Sequence, residues 1–320
     1  MTLPLALPLV TFAVAAVIAT HLQASTSSTG QAGLPQGGES RLSELWVEPE
    51  PTRDLYYGVG GRAMMPSPTA RFTVLKMKKG GFSDGYDVRS PDGREWSAKL
   101  YPEARTEVVA SRLLWGVGYH QPPIYTVEKW SAEGAPTEKD AQPVARFREK
   151  QPAALNGLVE DEPWSYTDNP FLGTRALHGL IVLQVMLTNS DLKPDNNMQY
   201  TLEKPLEGAR RWWVARDLGQ TFGRTGLLSA MRDDPDAFDR TRFILGVKDG
   251  MVEFEYFGPH VSLTKTLTTA DVRWICQRLS RLTDTQWLDA FRAGGYPENT
   301  ARRFIRRMKI KVAEGLVVQA

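Results

Sequence analysis

The residues best able to do chemistry fall into four groups. The densest is Asp191-Leu192-Lys193-Pro194-Asp195-Asn196, which follows an apolar run. An aspartate on a rigid loop can orient and deprotonate a hydroxyl. A lysine two residues on can neutralise a phosphoryl group in transit, and an amide five residues on can ligate a divalent cation. Polar turns also favour Asp, Pro and Asn, but three such groups at these offsets exceed what a turn needs. The second group is Asp217-Leu218-Gly219, after Val214-Ala215. A carboxylate at a strand end is a natural ligand for Mg²⁺; an ordinary Asp-x-Gly turn looks the same in isolation. The third is Lys99 with Glu107. Glu107 shares a helical face with Ala110 and Leu114, so it points inward and needs a cationic partner. Lys99 is the nearest candidate, and Glu103 is a rival partner for it. The fourth is the turn Gly80-Gly81-Phe82-Ser83-Asp84-Gly85, whose N–H groups can approach phosphate oxygens. Most glycine-rich turns are only hairpins.

The elements that must position these groups change character along the chain. Phe72–Met77, Tyr86–Val88 and Glu95–Leu100 read as short strands joined by glycine-bearing turns, which predicts a small antiparallel sheet. Pro102 then opens a helix, with Val109, Leu113 and Val117 in one apolar row and Ala110 and Leu114 in another. Pro143–Arg148 reads as a strand and Pro152–Thr167 as loop. Asp168-Asn169-Pro170 reads as a helix start, leading into an apolar helix over Leu172–Leu187. Arg211–Ala215 is a strand that delivers Asp217, and Val252–Phe257 is another. Three helices close the chain, over 269–282, 285–293 and 297–312. A β-rich half followed by an α-rich half is an α+β layout with a cleft between lobes.

Taken together, the four groups resemble the protein-kinase-like superfamily. Asp191–Asn196 is similar to the catalytic loop, with Asn189-Ser190 in place of its leading His-Arg. Asp217-Leu218-Gly219 resembles the metal-binding Asp-Phe-Gly, and Ser97-Ala98-Lys99 the lysine motif of the third strand. The step of eight residues from Lys99 to Glu107 resembles the atypical branch typified by phosphatidylinositol 3-/4-kinase catalytic domains. The resemblance spans Phe72 to Gly223. It implies a bilobal fold with a small β-rich N-lobe (46–150) and a mainly helical C-lobe (151–320), using ATP and Mg²⁺. It assigns Lys99 and Glu107 to an ion pair, with Gly80, Gly81 and Gly85 at the nucleotide. Asp191 becomes the catalytic base, Lys193 the phosphate contact, and Asn196 and Asp217 the metal ligands, with Asn197 competing for the role of Asn196. The expected activity is phosphoryl transfer to a hydroxyl of a protein, lipid headgroup or small molecule. The alternatives are an exported pseudokinase or scaffold that binds nucleotide without turnover, and a nucleotidyl transferase on the same fold. Ser190 in place of arginine argues against control by a phosphorylated activation segment. The interval of 26 residues from Asp191 to Asp217 suggests an insertion at 203–210.

Composition sets outer limits. The chain has 320 residues and is 42% hydrophobic and 24% charged, which excludes collagen, coiled coil and wholesale disorder. A net charge of +2 gives no field to attract nucleic acid. A single cysteine, Cys276, excludes an intrachain disulfide and cysteine-rich zinc sites. No charged residue precedes Glu39, and Leu3–Ala19 is almost wholly apolar. Residues 1–24 therefore read as an export signal or N-terminal membrane anchor, and 25–45 as a flexible linker. The expected location is exported, with possible membrane proximity. The basic residues Arg302, Arg303, Arg306, Arg307, Lys309 and Lys311 read as a solvated helix face. His120 and His178 read as structural, and Trp212-Trp213 as core and lobe packing.

Overall fold

The computed structural model describes residues 41–78, 83–135, 143–226 and 230–319. The proposed leader over 1–24 and most of the linker lie outside the described residues, as do Gly80 and Gly81. No described helix is long and apolar enough to cross a membrane.

β-Branched and aromatic residues build the first half as strands. β1 (Arg71–Lys78), β2 (Gly85–Arg89) and β3 (Glu95–Leu100) form an antiparallel meander. Helix α1 (Glu103–Gly116) follows, then β4 (Ile124–Val127), β5 (Ser131–Glu133) and β6 (Ala145–Glu149). The sheet order is β4-β6-β3-β2-β1-β5, with only the short β5 parallel to its neighbour. Phe72, Val88, Trp96, Trp130 and Phe147 are buried as one cluster on this sheet. The apolar rows of α1, including Val109 and Leu113, instead join the core of the helical lobe. Helix α1 is therefore shared by the two lobes.

The second half differs from expectation in three places. The stretch expected as loop contains β7 (Val159–Pro163). This strand is exposed throughout and pairs only with β8 (Asn197–Leu206), so it needs no apolar alternation. Helix α2 (Arg175–Met186) starts later than expected. Asn169 instead forms a turn, its Oδ1 accepting the Phe171 N–H at 2.9 Å. Gly173 then takes φ +76°, and Thr174 supplies the N-cap. The supposed insertion at 203–210 is the end of a hairpin between β8 and β9 (Ala209–Ala215). Its turn residues Glu207 and Gly208 both have positive φ, which matches the strand twist of a two-residue hairpin.

Helix α3 (Pro235–Arg240) and the hairpin β10 (Ile244–Lys248)–β11 (Met251–Phe254) precede the last helices. These are α4 (Thr269–Leu279), α5 (Asp284–Ala293) and α6 (Glu298–Val317). Capping boxes at Thr268/Asp271 and Thr283/Gln286 fix the starts of α4 and α5. Helix α2 is almost entirely buried and runs into the helical core with Ile275, Phe291 and Phe304. The result is the α+β, bilobal organisation expected from the sequence.

One boundary and one helix face differ from expectation. Residues 41–45 belong to the folded body: Leu45 is buried, and Glu44 O accepts the Trp213 N–H at 2.9 Å. The C-terminal helix is also not simply a solvated basic face. Arg303 pairs with Asp236 and Asp239, and Lys311 is fully buried. The Lys311 ammonium donates to Met186 O at 2.9 Å, at the end of α2, and lies 4.0 Å from the Phe238 ring centroid. Burial, with help from Arg307, pushes its pKa well below the ordinary lysine range. The expected result for Lys311→Met is a gain of about 1 kcal/mol at neutral pH, because a side chain whose charged form is disfavoured by burial is exchanged for apolar volume. Wild-type stability should rise with pH between the lowered folded pKa and the unfolded value, so the gain should shrink in alkali. Urea denaturation at pH 7 and pH 10 checks both parts.

Candidate active site

The site forms where strand β3, helix α1 and the end of strand β9 meet. Lys99 lies near the end of β3, paired across the sheet with Gly85 and with Arg146 on β6. Gly85 is tight there, since a Cβ would sit 2.8 Å from Ala98 O. The Lys99 ammonium contacts Asp217, and reaches Glu107 at 3.3 Å and Glu103 at 3.4 Å. Both carboxylates considered from sequence are thus partners at once. Burial works against the charge on Lys99, yet Glu107 and Asp217 outweigh it and raise its pKa.

Glu107 is buried and also holds Arg146, Nε to Oε1, at 3.0 Å. Burial would push its carboxyl up, but Arg146 and Lys99 prevail and hold it at about 2. Glu103 turns a second oxygen to Arg232 at 2.7 Å. Three cations (Lys99, Arg146, Arg232) therefore face three carboxylates (Glu103, Glu107, Asp217) in one balanced cluster.

Asp217 has φ +57°, the left-handed region that costs a non-glycine residue energy. The segment after it explains the glycine: a Cβ on Gly219 would lie 2.5 Å from the Glu103 Cβ. Thr106 Oγ1 donates to Gly219 O at 2.8 Å, so α1 grips this turn directly. Leu218 is buried in the helical core.

The loop carrying Asp191 leaves α2 at Leu187 and is stitched in place. The Asp191 N–H donates to Asn189 Oδ1 at 3.0 Å, and Asn196 Nδ2 donates to Asp191 O at 2.8 Å. The Arg216 N–H donates to Asn196 O at 3.0 Å, which ties the loop to the residue before Asp217. The Asp191 carboxylate pairs with Lys193 at 2.9 Å, and this contact raises the lysine's pKa. Asn196 is half-buried and keeps its amide oxygen as a possible ligand atom. Its rival Asn197 is buried and donates to Trp164 O at 3.2 Å, so it belongs to β8.

A cleft of about 200 Å³ brings Gly85, Lys99, Glu107 and Asp217 to one wall system. Asp195 also lines it, whereas Asp191, Lys193 and Asn196 sit on the adjoining loop. Arg146, Arg148 and Arg216 line the same cleft and were missed in the sequence. Arg148 and Arg216 share Glu160, at 3.1 and 2.6 Å. The pattern Arg146-Phe147-Arg148 on a strand places both arginines on one face, and that signal was available.

Among the described residues, no three His, Cys, Asp or Glu side chains form a ready-made metal cage. This donor set nonetheless fits Mg²⁺, which is commonly held by one or two protein oxygens plus phosphate and water. Asp217 lines the cleft, and Asn196 stands on the adjoining loop, tied through its carbonyl to the Arg216 N–H.

No protein-family model matches the sequence, and no curated protein matches it either. Among solved structures, the chain is similar to a Helicobacter pylori proinflammatory kinase, CtkA, at 10% identity and a TM-score of 0.41. The match covers 78% of this chain and 98% of that one.

Proposed function

We propose that this chain is an ATP- and Mg²⁺-dependent phosphotransferase of the kinase-like fold, acting on a hydroxyl of a protein, lipid headgroup or small molecule. The observation that carries the reading is the Lys99 ammonium, held between Glu107 of α1 and Asp217 at the end of β9. A lysine on the third strand, a glutamate on the next helix and an aspartate before glycine form the phosphate-holding set of a kinase. The eight-residue step from Lys99 to Glu107 supports the phosphatidylinositol 3-/4-kinase-type branch.

In this reading Lys99 orients two phosphates while Glu107 fixes its direction. Asp217 and Asn196 would hold Mg²⁺, which would neutralise phosphate charge when bound. Asp191 accepts the proton of the substrate hydroxyl. The new bond joins that oxygen to the γ-phosphorus, the bond to the bridging oxygen breaks, and ADP carries away the negative charge. Lys193 offsets charge on the group in transit. A second reading, nucleotidyl transfer with ATP reversed, draws support from Arg148 and Arg216, which add positive charge elsewhere in the cleft.

Incubation with ATP labelled at the γ- or the α-phosphate distinguishes these outcomes. Transfer of γ-label marks a kinase and transfer of α-label a nucleotidyl transferase. A Mg²⁺-dependent thermal shift with ATP but no transfer marks a pseudokinase, and no shift at all removes the nucleotide reading. ATP at a hundredfold over Kd should stabilise the protein by about 2.7 kcal/mol. Asp217→Ala is expected to lose most of that gain and its dependence on Mg²⁺.

A further inference from the structure

A second cavity, of about 450 Å³, lies against another face of α1 and is lined in part by Arg112, Lys129 and Arg292. Arg112 follows Glu107 by five residues, which places it about 140° around the helix. It is only 1% exposed. Its guanidinium donates to Ile124 O at 2.6 Å and lies 5.6 Å from the Tyr125 ring centroid. Its Nε has no hydrogen-bond partner. Among the described residues no carboxylate pairs with it, and Asp54 acts on it only at longer range.

The contrast with the other buried guanidiniums is direct. Arg53 holds Glu207 at 2.6 Å and Arg146 holds Glu107 at 3.0 Å. A buried charge normally has such a partner, and one left without it calls for an explanation. Burial pushes the Arg112 pKa down to about 10, so the guanidinium remains a cation at neutral pH. The backbone has been fitted closely to it: a Cβ on Gly58 would lie 2.3 Å from the guanidinium carbon.

We propose that this cavity binds a small organic anion, its carboxylate or phosphate meeting Arg112 and Lys129 and its apolar part lying against Tyr57, Met65 and Pro68. The cavity supplies both halves of that chemistry, a desolvated cation and an apolar wall, and the carboxylate that also lines it, Glu128, is exposed. Its walls come from α1 and the residues around β4 on one side and from the end of α5, at Arg292, on the other. Arg292 is already paired with Asp289 and Glu298, which leaves Arg112 and Lys129 to meet the anion. The site stands apart from the phosphotransfer reading, because Arg112 does not line the cleft at Lys99.

Calorimetric titration of the full chain with phenyl phosphate, benzoate and neutral benzyl alcohol tests the proposal. One anion per chain is expected to bind and to raise Tm, while benzyl alcohol does not. The stronger of the two anions identifies the head group. Arg112→Met should weaken binding at least tenfold and Lys129→Glu about fivefold, whereas Lys99→Met should leave it unchanged. Failure of both anions to bind the wild type overturns the proposal. So does full loss of binding in Lys99→Met that circular dichroism shows to be folded, which would place the anion in the other cleft. Should circular dichroism show that Arg112→Met does not fold, Lys129→Glu decides: weakened binding supports the site, and unchanged binding overturns it.

Discussion

Asp191→Asn is expected to bind Mg²⁺ and ATP as the wild type does and to turn over on the order of 10³ more slowly. The loop does not depend on the carboxylate for its shape. Its backbone is held by Asn189 Oδ1 on the Asp191 N–H and by Asn196 Nδ2 on the Asp191 carbonyl. Asparagine keeps both contacts and the side chain's size, and removes only the ability to take a proton. The charge on Lys193 loses its partner at 2.9 Å, but that lysine's side chain is 58% exposed, so the structural cost is small. The loss should therefore appear in kcat, with Kd for ATP within about twofold. Single-turnover rates and a parallel ATP titration separate the two. Turnover within tenfold of wild type would remove Asp191 from the role of base. Loss of ATP binding would reassign it to the nucleotide site.

The groups legible in the sequence are those whose position is fixed by a strong local pattern. The unbroken apolar stretch of α2 marks a core helix, so the polar residues after it had to emerge at a fixed place. Glu107 is legible because its helical neighbours Ala110 and Leu114 are apolar, and it is indeed buried. Reading Glu107 and Glu103 as rivals was too narrow, since one ammonium can face several carboxylates when other cations balance them. Arg232 was invisible in this respect, as 129 residues separate it from Glu103. Strand β7 carries no apolar signal because its side chains need bury nothing. Other misses were readable. Asp249-Gly250, both at positive φ, is a strong hairpin dipeptide between β10 and β11. Lys311 shares the buried row Ala301, Phe304, Met308, Gly315 at helical spacing, which sets it apart from the solvated charges around it.

Glu107→Gln should show how far the cluster also holds the fold together. The glutamine keeps the shape and one acceptor oxygen, but it leaves Arg146 and Lys99 without the buried charge that holds them at 3.0 and 3.3 Å. Removing one partner of a buried pair costs about 3–5 kcal/mol. The lower end is expected here, because Asp217 and Glu103 still face Lys99. The titration of the wild type gives an independent handle. Its folded pKa of about 2 lies below the ordinary 4.5. The stabilisation is therefore complete above about pH 4.5 and is lost as pH falls toward 2. A depression of this size corresponds to about 3 kcal/mol. The gap in unfolding free energy between wild type and Glu107→Gln should thus be widest at pH 6–7 and close steadily between pH 4.5 and 2. Chemical denaturation across that range measures it. A gap that stays constant down to pH 2.5 would mean that the glutamine acts through packing rather than charge, and Lys99 would then take its orientation from Asp217 and Glu103 alone.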